Sequence, residues 1–171
     1  MNLETFQNLV FPVRNKLYRF AFRLLGDNEE AKDVVQEVFI KVWNGRAELG
    51  EVRNMEAWCM RITKNLSLDR LRQQQRRPTD SIDKGLHIES DTWSPAVATE
   101  IGESMKRIGE LMATLPEKQR QVMHLRDIEG YSYQEICEIL EIDMSQVKVS
   151  LFRARNAVRE QLQKINAYGI E

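Results

Sequence analysis

Apolar residues recur at three- and four-residue intervals through almost the whole chain, and no run of alternating β-branched residues competes with that spacing. The pattern predicts an all-α protein. A first helix covers 3–25 with a break at Phe11-Pro12, since proline fits a helical first turn but not an interior. Gly26-Asp27 ends it and caps a second helix over 28–44, and a loop over 45–52 leads to a third over 54–76. Over 77–93 the periodicity lapses into RPTDSIDKGLHIESDTW, which is polar, acidic and punctuated by proline and glycine, the composition of a linker. Ser94-Pro95 has the form of a cap followed by first-turn proline and opens a helix to about 114; Pro116 opens another to about 127. After the break at Gly130, Ser132 and Glu135 stand at capping-box spacing and start a short helix over 133–140. A connection over 141–144 follows, with Ser145 as the expected cap of a last helix over 146–164.

The two short helices joined by a tight turn have helix-turn-helix form. Charge on the second strengthens a DNA reading. At 100° per residue, Val147, Leu151, Ala154, Val158 and Leu162 gather on one side, which is core. Opposite lie Ser145, Val149, Phe152, Arg153 and Asn156, while Lys148, Arg155 and Arg159 form a flank. A helix in a major groove reads base edges with the outermost residues of its first turns and meets phosphates with its flanks. Gln146, Val149 and Arg153 are therefore assigned to base readout, and Lys148, Arg155 and Arg159 to the backbone. Val149 suits a thymine methyl, and Arg153 suits guanine.

A net charge of −1 hides strong local asymmetry. Residues 53–77 carry seven Lys/Arg against two Asp/Glu, 78–114 carry three against seven, and 148–164 carry five against Glu160 alone. The third helix accordingly combines Trp58 with Arg61, Lys64, Asn65, Arg70, Arg72, Arg76 and Arg77, an aromatic among cations that suits single-stranded or opened DNA. It is apolar on two sides, Trp58, Ile62 and Leu66 on one and Met60, Lys64, Leu68 and Leu71 largely on the other. Periodicity does not choose between them. The second helix sets Ala31, Val35, Val38, Phe39 and Val42 on its core side, leaving Asp33, Glu37 and Ile40 outside with Glu30 and Lys41. An apolar residue amid an acidic face suits protein binding.

The 171 residues, 42% of them hydrophobic, suffice for two small cores. No apolar stretch is long enough for a membrane span and the N-terminus lacks a signal-peptide pattern, so a cytoplasmic protein without membrane insertion is expected. Cys59 and Cys137 fall inside helical patterns and read as small hydrophobes. With His87 and His124 the only histidines, no metal site, disulfide framework or cofactor site is legible.

The runs DVVQEVFIKVW (33–43), AWCMRITKNLSLDRLR (57–72) and LPEKQRQVMHLRDIEGYSYQEICEIL (115–140), with LFRAR (151–155), resemble the extracytoplasmic-function (ECF, group 4) sigma factors of the sigma-70 family, in the family's order. The resemblance implies two small helical domains joined by a flexible acidic linker: sigma domain two over 1–77, a linker over 78–93, and sigma domain four over 94–171. It implies that Asp33, Gln36, Glu37, Ile40 and Lys41 face core RNA polymerase on the clamp helices of its largest subunit. Residues 44–52 would lie near a flipped-out base of the minus-ten element, with the basic third helix along the unwinding strand. The last helix would read the minus-thirty-five element through Ser145, Gln146, Lys148, Val149, Phe152, Arg153, Arg155 and Arg159. Core polymerase, promoter DNA and an anti-sigma factor are the implied partners.

Members often open the last helix with Pro-x-Gly-Thr-Val-(Lys/Arg)-Ser-Arg, where this chain has Asp143 to Ser150, DMSQVKVS. Val147 and Lys148 persist; the small polar pair after the cation does not, so docking should carry over and base preference should not. The linker reaches roughly 60 Å at full extension, against roughly 35 to 70 Å between elements one to two helical turns apart. A free-standing dimeric helix-turn-helix regulator is the alternative reading. An enzyme is disfavoured, with no small-molecule substrate expected: there is no Gly-rich phosphate loop, no His/Cys cluster and no histidine beside a candidate nucleophile.

Overall fold

The computed structural model describes residues 1–76 and 99–167. The expected linker over 78–93, Arg77 and the Ser94-Pro95 helix start lie outside them. The described residues form eight α-helices in two compact units, the first carrying α1–α4 and the second α5, α6 and α8 with most of α7.

In the first unit, α1 (Leu3–Val10) and α2 (Arg14–Leu25) are separated at Pro12 by a tight 3-10 turn, Phe11–Val13. Gly26 takes a left-handed conformation, φ 68°, and its N–H closes on the Phe22 carbonyl. A residue with a Cβ would be strained there. Asp27 then caps α3 (Asn28–Asn44) by accepting from the Glu30 N–H at 3.1 Å. The expected loop is largely a 3-10 segment, Arg46–Glu51, whose Leu49 is buried. Asn54 caps α4 (Met55–Arg76), accepting from the Ala57 N–H.

Helix α2 packs on both α3 and α4. Leu17, Phe20, Ala21, Val34, Val35 and Val38 are fully enclosed, and Phe6 meets Phe39 and Trp43 edge-on at the α1 end of α3. An ion pair of 2.7 Å between Lys16 and Glu56 ties α2 to the start of α4. The deepest stripe of α4 includes Ala57, Cys59, Met60, Thr63 and Ser67, with Thr63 Oγ1 donating to the Cys59 carbonyl. Trp58, Ile62, Leu66, Leu68 and Leu71 are all half-buried; of the two expected sides the one with Met60 and Lys64 lies nearer the core, both being buried. Thr63 and Ser67 are small enough to allow close helix approach but carry little hydropathy signal.

The second unit comprises α5 (Thr99–Ala113), α6 (Glu117–Met123), α7 (Tyr133–Leu140) and α8 (Met144–Ala167). The helix expected to run to about 127 passes at His124 into a π-helical turn, His124–Ile128, closed by the Glu129 N–H on the His124 carbonyl. His124 and Glu129 face each other at 3.1 Å with both side chains almost wholly buried. Helix α8 packs on α6 and α5 through Val147, Leu151, Ala154 and Val158, all buried as the helical angle requires. It extends three residues beyond the expected end.

Candidate nucleic-acid interface and docking surface

The helix-turn-helix is built by local chemistry. Ser132 and Glu135 form the full capping box, the serine oxygen accepting from the Glu135 N–H and the glutamate from the Ser132 N–H. Glu141 ends α7 in the left-handed region, φ 56°. The cap of α8 is Asp143, not Ser145: its Oδ1 accepts from the Gln146 N–H at 2.8 Å. Both residue types cap well, and the aspartate comes first in the chain. Ser145 therefore lies within the first helical turn and is exposed.

Gln146, Lys148, Val149, Phe152, Arg153, Arg155 and Arg159 are likewise exposed. Phe152 is 67% exposed and Val149 45%, an unusual pair of large apolar residues on an outer face. Arg155 departs from its expected part. Its guanidinium is held by Asp127 of the π-helical turn through two hydrogen bonds, 2.6 and 3.0 Å, which raise its already high pKa further. A fork engaged in that way positions α8 and competes with a phosphate for the same donors. Arg159 Nη1 donates to Asn156 at 3.3 Å.

In the first unit, Asp33, Gln36, Glu37, Ile40 and Lys41 are all exposed on one side of α3, with Ile40 at 58%. Sequence reasoning kept this face apart from the cations of α4, yet the structure joins them: Arg70 lies 3.9 Å from Asp33 and 3.7 Å from Glu37. Glu30, Glu37, Leu66, Asp69, Arg70, Gln73 and Gln74 line a shallow groove between the two helices. Helical periodicity within one element cannot report such a cross-helix pairing.

Trp58, Arg61, Lys64 and Asn65 occupy the first half of α4. Trp58 and Arg61 are half-buried and Asn65 is exposed, whereas Lys64, expected in the DNA-facing set, is buried at 7% exposure. Arg72 pairs with Asp69 at 3.2 Å, and Arg76 is exposed at the helix end. Near the 3-10 segment, Arg46 lies over the Trp43 ring at 4.0 Å and donates to the Trp43 carbonyl, a cation that the loop reading passed over. Among the described residues there is no cluster of metal-ligating side chains, and no helix is long and apolar enough to cross a membrane.

A capped helix-turn-helix with a cationic outer face, alongside a second helical unit bearing an acidic-apolar face, defines a DNA-binding protein of the transcription machinery. Comparison with known proteins sharpens this. The sigma-70 region 2 family matches residues 9–77, and the sigma-70 region 4 family matches 105–158. The chain is 31% identical to the ECF RNA polymerase sigma factor SigW of Bacillus subtilis, over 95% of this chain and 91% of that one. It is 32% identical to the RNA polymerase sigma-H factor of Pseudomonas aeruginosa, over 95% and 88%. The fold matches the sigma factor RpoE of Bartonella quintana, solved with the anti-sigma factor NepR, at TM-score 0.78 and 22% identity over 94% of this chain and 98% of that one. It also matches CnrH, solved with the cytosolic domain of CnrY, at TM-score 0.71 and 21% identity over 95% and 90%. The chain belongs to the ECF sigma factors of the sigma-70 family. It is an alternative sigma factor in transcription initiation, and the dimeric-regulator reading is not favoured.

Proposed function

We propose that the two units divide the work of promoter recognition. The exposed side of α3, Asp33, Gln36, Glu37, Ile40 and Lys41, docks on core RNA polymerase. The basic helix α4 follows the opened minus-ten strand through Trp58, Arg61, Asn65 and the cations toward Arg77, with the buried Lys64 left off that surface, and α8 reads the minus-thirty-five element. The linker over 78–93 spans the elements. The protein acts in the cytoplasm, catalyses no chemistry of its own and is held in check by an anti-sigma factor, the kind of partner with which the sigma factor RpoE of Bartonella quintana was solved.

The observation that carries this reading is the outer face of α8, where Gln146, Val149, Phe152 and Arg153 stand exposed opposite a fully buried core side. Arg155 is reassigned from phosphate contact to positioning, because Asp127 occupies its donors. The test is copurification with core polymerase followed by promoter-dependent transcription in vitro. A chain that binds a palindromic duplex as a dimer and ignores polymerase would overturn it.

A further inference from the structure

One side chain outside α8 touches its reading face. Lys118 stands exposed in the first turn of α6, and its Nζ donates to Oε1 of Gln146 at 3.5 Å. The two line one open groove of about 280 Å³ with Ser145, Val149, Ser150 and Arg153. Gln146 itself is rooted by its backbone N–H on Asp143, so its side chain leaves a fixed point.

A glutamine amide has an acceptor end and a donor end, and it reads adenine by using both, against N6 and N7. An ammonium group only donates. Lys118 can therefore hold the oxygen of Gln146 and no other part of the amide. With one of the two lone pairs of Oε1 engaged and the oxygen drawn toward Lys118, the two-point pose that adenine needs is disfavoured, and the Nε2 donors beside a positive charge are favoured. That combination matches a base edge that only accepts, which in the major groove is guanine with O6 and N7.

We propose that Lys118 is a specificity-positioning residue: by holding Gln146 Oε1 it orients the amide with its donors toward the base, so that Gln146 reads guanine and discriminates against adenine at one position of the upstream element. The proposal rests on α8 being the base-reading helix.

The test uses holoenzyme reconstituted from the full chain and core polymerase, presented with promoter duplexes randomised across the upstream element, with bound molecules sequenced. Q146A identifies the position that Gln146 reads. Wild type is expected to select guanine there, and K118M, of similar length without a donor, to lower the guanine-to-adenine ratio at least about fivefold, the low end for a bidentate pair. K118R should keep guanine. The proposal is overturned if wild type selects adenine there, or if K118M leaves the base unchanged. It also falls if K118M weakens binding to every sequence alike with a smaller salt slope, which marks a phosphate contact. If Q146A shifts nothing while R153A does, the proposal falls and the reading of α8 stands; if neither shifts anything, the reading of α8 falls. Both residues are exposed, and an unchanged thermal melt of each variant separates these outcomes from unfolding.

Discussion

Arg153 and Lys148 are both exposed on α8, yet they point about 140° apart around its axis. Arg153→Ala should cost about 1 to 3 kcal/mol of promoter affinity and relax preference at a single base. Lys148→Ala should weaken all sequences alike and lower the salt slope by about one unit. Holoenzyme affinities against single-base promoter variants at several salt concentrations check both; exchanged outcomes would mean that α8 enters the groove rotated. A different residue-scale expectation concerns Cys59. Its burial, reinforced by Glu56, pushes the thiol up from 9.0 to about 12. The folded chain keeps the neutral thiol where the unfolded chain has begun to ionise, so this site's stabilisation is full below pH 9 and declines as pH rises from 9 through 12. Alkylation of the native protein at pH 8 should mark the half-buried Cys137 and spare Cys59, as read by mass spectrometry.

At the scale of the element, α3 carries the proposed docking face on a helix whose opposite side is buried. Asp33→Arg with Glu37→Arg should abolish association with core polymerase and leave the fold intact. The loss of both carboxylates near Arg70 lowers stability by no more than about 1 kcal/mol per exposed pair. Gel filtration with core polymerase and a thermal melt decide it, and normal association of the folded double variant would reject this surface. What the sequence made legible here follows from local physics. Pro12, Gly26, Asp27 and the Ser132–Glu135 box act within a turn of themselves, so the helix starts and stops that they dictate were readable. The core side of α8 was readable because its apolar residues follow a single period. The core of α4 was readable only in part, through Met60, since Thr63, Lys64 and Ser67 are buried without being apolar. Nor were the engagement of Arg155 by Asp127 or the approach of Arg70 to α3, which depend on neighbours distant in sequence. Asp143 displaced Ser145 as a cap because two good capping residues stood two positions apart.

For the whole molecule, the proposed division at 78–93 has a direct consequence. Limited trypsin digestion should cut first at Arg76 or Lys84 and leave two resistant fragments, one on each side; first cuts inside α2 or α8 would reject that boundary. The π-helical turn at His124–Ile128 bears on a different kind of change, the insertion and deletion of residues over evolutionary time. It holds one residue more than an α-turn would, closing from residue 124 to residue 129. Removing any one residue from it would close the turn as an ordinary α-turn and shorten the spacing of the buried His124–Glu129 pair from five residues to four. The buried pair would then lose its facing geometry, and Asp127 or its replacement would lose the wide turn that sets it against Arg155. A one-residue deletion within 124–128 should therefore abolish promoter-specific transcription, while the same deletion within 78–93 leaves it nearly intact. Length variation among descendants of this gene would then be tolerated between the two units and purged from a five-residue stretch that composition alone gives no reason to protect.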